Sequence, residues 1–154
     1  MDNQQVTDFE IGWLIGIFDG EGCYTLAKTV RHGDVSFTPG IKFVNTNFEI
    51  VEEVCRILKA LGIAHYVYNS WRSGNQKPAK RIEIMGLLRI KKFLDALFPR
   101  MVCRVSQAKV LKDFVELRLT KSTKDPYTDD EWSMYHLLRS LNRQGTSETE
   151  RDRS

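Results

Sequence analysis

The segment from Asp8 to Gly22 constrains the fold most, because it is predicted to be a helix with glycine at every fourth position. Gly12, Gly16 and Gly20 therefore share one stripe of that helix, and each interior glycine costs about 1 kcal/mol relative to alanine. Close packing of a second backbone along the stripe would offset this cost, as in other helix contacts made by small residues. The pattern predicts a helix with a packing partner.

The same helix finishes in two acids, within the run Phe18-Asp19-Gly20-Glu21-Gly22. A carboxylate is unfavourable at a helix C-terminus, because that end carries partial negative charge. Mg²⁺ would resolve the conflict, since hard cations take carboxylate and backbone carbonyl oxygens. The alternative is that Asp19 caps the chain locally and that Glu21 is solvated.

Apolar periodicity divides the rest of the chain into two hairpins and several helices. The hairpins are predicted within 24–43, around a turn at Gly33-Asp34, and within 65–85; the helices are predicted at 50–61, 87–98, 106–119 and 129–141. This order predicts an α+β fold with an antiparallel sheet. We expect a single domain over residues 1–143 and a flexible polar tail over 144–154.

The predicted strands and their turns hold most of the excess positive charge. Residues 24–42 and 65–86 contain seven Lys or Arg against two acids. In the last strand Ile82 and Ile84 share one face, which leaves Arg81 and Glu83 on the other. A polar, basic sheet face suits the DNA major groove. An ordinary solvated face is the alternative.

Composition argues against a secreted or membrane protein. No run of about 18 apolar residues is present, and the first thirty residues lack the order of a signal peptide. Cys23, Cys55 and Cys103 are too scattered for a disulfide framework or a zinc site, so we expect buried thiols in a reducing compartment. We expect an intracellular protein, in the cytoplasm or in an organelle that contains its target DNA, without a membrane partner.

The run Leu14-Ile15-Gly16-Ile17-Phe18-Asp19-Gly20-Glu21-Gly22 resembles the LAGLIDADG motif of the homing endonucleases. The leucine, the first glycine, both acids and the last glycine match. The stretches 43–47 and 97–99 also resemble family members, and the order of elements agrees over residues 8–142. The resemblance implies an αββαββα fold with extra C-terminal helices, whose antiparallel sheet forms a DNA-binding saddle.

The single motif implies a homodimer, because motif helices of this family pack against each other and two-motif members are about twice as long. The implied activity is sequence-specific hydrolysis of double-stranded DNA in intron homing. It would use Mg²⁺, with Mn²⁺ or Ca²⁺ able to replace it for binding, on a long near-palindromic target, and leave short 3′ overhangs. An RNA-binding intron maturase, with intron RNA as partner, or a non-cleaving DNA-binding module of the same fold is the alternative.

The resemblance also implies roles for individual residues. Glu21 corresponds to the catalytic, metal-binding acid and the Gly20 carbonyl to a backbone metal ligand, while Asp19 is structural and Gly12 and Gly16 serve dimer packing. Asn45 is the choice for the polar residue beside the water at the metal, although Asn47 fits nearly as well. Arg104 falls where the family often has a catalytic lysine. Arginine stabilises phosphate charge but does not act as a base near neutral pH.

The remaining candidates are DNA contacts on the sheet. The phase of the strand near 65–72 is open, so that either His65, Val67 and Asn69 or Tyr66, Tyr68 and Arg72 face DNA. The predicted DNA-binding residues are Thr25, Thr29, Arg31, Ser36, Thr38, Lys42, Asn69, Arg72, Lys80, Arg81 and Glu83.

Overall fold

The computed structural model describes residues 5–70, 74 and 77–151, with side chains described up to residue 144. Its elements are α1 (Asp8–Glu21), β1 (Cys23–Arg31), β2 (Asp34–Asn45), α2 (Phe48–Ala60), β3 (Tyr66–Ser70), β4 (Ala79–Met85), α3 (Leu87–Leu97), α4 (Val105–Leu119) and α5 (Asp129–Arg151). A 3₁₀ turn, Phe98–Arg100, joins α3 to α4. This order confirms the predicted α+β fold.

α1 begins at a capping box and ends at an obligatory glycine. The Glu10 backbone N–H donates to Thr7 Oγ1 (3.1 Å), and the Thr7 N–H donates to Glu10 Oε1 (3.2 Å), which satisfies two donors at the helix start. Gly22 then leaves the helix with extended backbone (φ −70°, ψ 147°). A Cβ on Gly22 would lie 2.4 Å from the Phe18 carbonyl oxygen, so a larger residue would push the chain away from α1.

The described strands form one antiparallel sheet in the order β1-β2-β4-β3. His32 and Gly33 make the β1–β2 turn, with φ of 51° and 84°. Two successive left-handed residues are the pattern of a type I′ turn, whose twist matches that of the strands. The turn lies one residue before the predicted Gly33-Asp34, and Asp34 instead pairs with Arg31 in the ladder.

One face of the sheet carries the core. Ile41 pairs with Tyr24 on one side and with Ile84 on the other, and Phe43 pairs with Ile82; these five side chains are at most 1% exposed. They belong to one apolar cluster that includes residues of all five helices. The helices therefore cover this face, and alternation sends the neighbouring side chains to the opposite, outer face of the sheet.

The far half of the β1–β2 hairpin is covered by an aromatic cluster around Phe37. Its ring lies 4.7–4.9 Å from those of Tyr127, Trp132 and Tyr135. The Phe37 backbone N–H also donates to Tyr127 Oη (3.1 Å). These contacts attach α5 and the segment before it to the hairpin.

α4 and α5 are joined by a buried ion cluster centred on Glu131, which is 0% exposed. Arg118 Nη1 lies 3.2 Å from Glu131 Oε2, and Lys121 Nζ lies 3.0 Å from Oε1. The Thr128 N–H and hydroxyl donate to the same Oε1. Burial raises the pKa of Glu131, but the Thr128 N–H, Lys121 and Arg118 outweigh it and hold that pKa below the ordinary value.

Several expectations from the sequence need correction. α5 continues to Arg151, past the predicted end at Leu141. Cys23 and Cys103 are exposed and Cys55 is partly buried, so the prediction of three buried thiols is wrong. No helix in the described part of the chain combines the length and apolar character needed to cross a membrane.

Replacing Glu131 with glutamine should lower the free energy of unfolding by about 3 kcal/mol, because it leaves the buried Arg118 without its counter-charge. Urea denaturation at neutral pH measures this loss. The control is Asp130→Asn, an exposed neighbour on the same helical turn. Equal stability of the two variants would show that the ion cluster does not hold α4 to α5.

Candidate functional site

The acidic end of α1 is fixed to the start of α4 by Asp19. Its carboxylate accepts the backbone N–H groups of Val102 (2.7 Å), Cys103 (2.7 Å) and Arg104 (2.9 Å). These residues immediately precede α4, where free N–H groups and the positive end of the helix dipole favour an anion. Asp19 is 7% exposed, so its contacts are structural.

The protonation of Asp19 follows from the same contacts. Burial raises the pKa of its carboxyl, but hydrogen bonds from the Arg104, Val102 and Cys103 N–H groups, together with the Arg104 charge, hold that pKa below the ordinary value. A depressed carboxyl pKa contributes stability that is present above the unfolded pKa of about 4 and is lost as pH falls further.

Glu21 lies two residues beyond Asp19, and its side chain is oriented by Asn45. Asn45 Nδ2 donates to Glu21 Oε2 (3.0 Å), while Asn45 Oδ1 accepts the Asn47 backbone N–H (2.7 Å). Asn47 in turn accepts the N–H groups of Glu49 and Ile50 as the N-cap of α2. Of the two asparagines that the sequence left open, Asn45 contacts the acid and Asn47 starts a helix.

Arg104 lies on the other side of the same helix end. Its Nη2 donates to the Gly20 carbonyl oxygen at 3.1 Å, and its buried Nε has no hydrogen-bond partner among the described residues. A guanidinium here compensates the negative end of the α1 dipole. The structure therefore brings together Gly20, Glu21, Asn45 and Arg104, all of which the sequence had singled out.

The donor set at this point fits a hard cation only in part. Glu21 Oε1, which makes no hydrogen bond in the described part of the chain, and the Gly20 carbonyl supply oxygens of the kind that Mg²⁺ takes. No group of three or more His, Cys, Asp or Glu able to hold a metal occurs among the described residues. One chain would therefore hold Mg²⁺ through Glu21 and Gly20 only with further oxygens from water, phosphate or a second chain.

The glycine stripe of α1 is uncovered. Gly12, Gly16 and Gly20 are exposed, and a Cβ built on any of them meets no atom within 4 Å. Phe9, one turn before Gly12, is 80% exposed. None of these three glycines is required by packing inside the chain, in contrast to Gly22, so the fold itself does not explain the stripe.

The outer face of the sheet carries most of the predicted polar contacts. Cross-strand register places Lys42 beside Glu83, and Arg81 beside Val44. Lys42 and Arg81 flank Glu83 at 4.0 and 2.9 Å, so one acid lies between two cations. The predicted residues found on this face are Thr25, Thr29, Arg31, Ser36, Thr38, Lys42, Arg81 and Glu83.

Two predicted contacts are not on that face. Lys80 pairs with Asn45 and Asn69 pairs with Lys80, in alternation with Arg81, so both lie on the side of Ile82. Lys80 Nζ lies 4.7 Å from the centre of the Phe48 ring at the start of α2. Lys80 and Asn69, both predicted DNA contacts, therefore lie on the opposite side of the sheet from the other predicted contacts, and Arg72 lies outside the described residues.

The outer face also carries a row of aromatic and basic side chains, which includes the tyrosines of one of the two strand phases that the sequence left open. Tyr66 and Tyr68 lie there with stacked rings 6.3 Å apart. Arg81 lies over Tyr68 at 5.4 Å and Arg89 over Tyr66 at 5.6 Å. The first four residues of β3 are all exposed, so burial contrast does not fix the phase of this strand, and only its pairing with Glu83 and Arg81 decides between the two alternatives. Arg89 is the member of the row that the sequence did not single out.

Residues 8–97, more than half of the chain, match the family model described as a LAGLIDADG-like domain. The chain therefore belongs to the LAGLIDADG family. The match includes α1 with its acidic end and the whole described sheet. Among curated proteins, no sequence matches the chain significantly.

Solved structures give the same assignment of the fold. The archaeal intron-encoded homing endonuclease I-Vdi141I, complexed with DNA, superposes with a TM-score of 0.57 at 14% identity, over 88% of this chain and 98% of that one. I-CvuI, bound to its target with Ca, gives 0.55 at 16%, over 87% and 95%. I-GzeII, in complex with a DNA target, gives 0.59 at 9%, over 82% and 41%. The chain has the LAGLIDADG homing endonuclease fold.

Replacing Asp19 with asparagine should cost about 2 kcal/mol at neutral pH, because the charge that strengthens hydrogen bonds to three backbone donors is removed. The difference in stability from wild type should shrink below about pH 4, where the Asp19 carboxyl of the unfolded wild-type chain begins to protonate while that of the folded chain is still ionised. Urea unfolding across this pH range measures both effects, with Asp130→Asn, at an exposed position of α5, as control. If the difference in unfolding free energy between wild type and variant did not change with pH, the charge of Asp19 would not be what stabilises this contact.

Proposed function

We propose that this chain is a homodimeric, Mg²⁺-dependent endonuclease that cuts a long, near-palindromic double-stranded DNA target and leaves short 3′ overhangs. Its biological setting would be intron homing, inside the cell where the target DNA lies. The observation that carries the proposal is the convergence of Glu21, Asn45, the Gly20 carbonyl and Arg104 at the end of α1. Family membership and the fold support it.

Glu21 and the Gly20 carbonyl would hold the Mg²⁺, which when bound activates water and stabilises the leaving oxygen. Asn45 keeps one carboxylate oxygen of Glu21 occupied at 3.0 Å and so fixes the direction of the other. Arg104 is placed to stabilise negative charge on a phosphate that approaches Gly20. In the reaction the water oxygen bonds to phosphorus as the bond from phosphorus to the sugar oxygen breaks. The attacking water gives up one proton, and the leaving sugar oxygen takes one up.

The proposal of a homodimer rests on the uncovered stripe of α1. Open glycines beside exposed Phe9 allow two copies of the helix to approach closely. Two copies would bring two Glu21 residues together and supply the oxygens that one chain lacks.

The outer sheet face is the proposed DNA surface. Its hydroxyl and basic side chains, with Arg31 at one end and Arg81 at the other, suit base edges and phosphates in the major groove. A two-fold dimer would place the same face on both half-sites, so the target should be near-palindromic. I-Vdi141I, I-CvuI and I-GzeII were each solved with DNA.

Glu21→Gln should abolish cleavage, by more than about 100-fold, because it removes a charged ligand from the metal. The assay incubates each protein with Mg²⁺ and a library of long near-palindromic duplexes and sequences the cut ends. Glu52→Gln, an exposed acid on α2, is the matched control. Binding of uncut duplex in Ca²⁺ should survive in both variants.

Two results would contradict this proposal, one for the role of Glu21 and one for cleavage itself. Full cleavage by Glu21→Gln would remove Glu21 from the site. Tight binding of duplexes by the wild type with no cleavage of any of them would identify a non-cleaving DNA-binding module of the same fold.

Gly16→Leu should convert the dimer into a monomer, because the added side chain meets nothing inside one chain but would block close approach of a second helix. Light scattering gives the mass, and circular dichroism should show unchanged helix. Ser133→Leu, at an exposed position of α5, adds the same bulk elsewhere and should leave the dimer intact. A Gly16→Leu dimer would refute association through α1.

A further inference from the structure

A groove of about 350 Å³ lies between β1 and the second half of α5. Its basic side chains come from both elements: Lys28 from β1, and Arg139 and Arg143 from α5. The described side chains that line it include no Asp or Glu. Three cations therefore face one concave surface, outside the acidic end of α1.

Several other cations in the described chain are paired with an acid. Lys91, Lys109 and Lys112 each pair with an acid four residues later on their own helix. Lys28, Arg139 and Arg143 form no ion pair with any described side chain, whereas Arg139 and Arg143 are themselves four residues apart. Like charges at that spacing destabilise a helix slightly, so an anionic ligand would relieve a repulsion that the fold retains.

Two of the groove's basic side chains are held in place by aromatic neighbours. Lys28 Nζ lies 5.8 Å from the Trp132 ring centre and 5.7 Å from that of Tyr135. Arg139 Nη1 donates to Tyr135 Oη at 3.2 Å. Because these contacts use ring faces and a hydroxyl rather than acids, they orient the cations without neutralising them.

The groove opens at the edge of the sheet. Thr25 and Ala27, which point to the outer face, form part of its wall. Asn142 Nδ2 donates to the Tyr24 carbonyl oxygen at 2.9 Å, which holds α5 along the beginning of β1. The groove therefore reaches the edge of the proposed DNA surface along Thr25 to Lys28 of β1.

We propose that this groove binds a phosphate of the DNA backbone, with Arg139 and Arg143 donating to it and Lys28 supplying a third positive charge. This inference rests on the proposed function. A contact of this kind carries no sequence information, because the phosphate is common to all nucleotides. It would position the duplex along the β1 edge of the sheet.

The test measures binding of a fluorescent random-sequence duplex in Ca²⁺ as a function of salt concentration. For Arg139→Gln/Arg143→Gln the slope of log Kobs against log salt should be shallower by about 1 for each phosphate that the variant no longer binds. Arg139→Lys/Arg143→Lys should keep the wild-type slope, because the interaction needs charge rather than a particular shape. Circular dichroism checks that α5 stays helical.

Lys91→Gln/Lys109→Gln is the matched control, since it removes the same charge from exposed positions on α3 and α4. The inference would be overturned if Arg139→Gln/Arg143→Gln kept the wild-type salt slope, or if the control variant changed that slope equally. Either result would leave the proposed function standing. Failure of the wild type to bind any duplex would overturn the proposed function and the inference together.

Discussion

The site depends on one buried anion, the carboxylate of Asp19. Three backbone N–H groups before α4 converge on it at 2.7–2.9 Å, so the charge that is unfavourable at the end of α1 is favourable at the start of α4. The same interaction brings Arg104 to the Gly20 carbonyl. Without it, neither the end of α1 nor the guanidinium beside it would have a fixed position.

Only Gly22 separates Glu21, the last residue of α1, from the first strand of the sheet. Gly22 ends α1 and β1 begins at Cys23, so Glu21 lies next to the first residue of the sheet. β2 returns along β1 and finishes at Asn45, whose amide meets Glu21. The orientation of the acid is therefore determined by antiparallel pairing rather than by local sequence around it.

Much of this arrangement could be predicted from sequence. The alternation of Ile82 and Ile84 with Arg81 and Glu83 indicated the two faces of β4, and both isoleucines are buried. The motif indicated α1, and the family resemblance singled out Arg104. The rest depends on how distant segments meet in space. Asn45 and Asn47 are chemically identical and differ only in where the backbone puts them. β3 is exposed on both sides, so no burial pattern distinguishes Tyr68 from Asn69.

The bond from Asn142 to the Tyr24 carbonyl has a consequence for assembly. An open edge strand is a template on which another chain can add a strand, and covering its carbonyls is one way in which proteins prevent this. With α5 held against β1, the start of that strand is closed to such pairing. Two copies that meet through their first helices would each keep an independent sheet, so that one recognition surface could be redesigned without changing how the copies join.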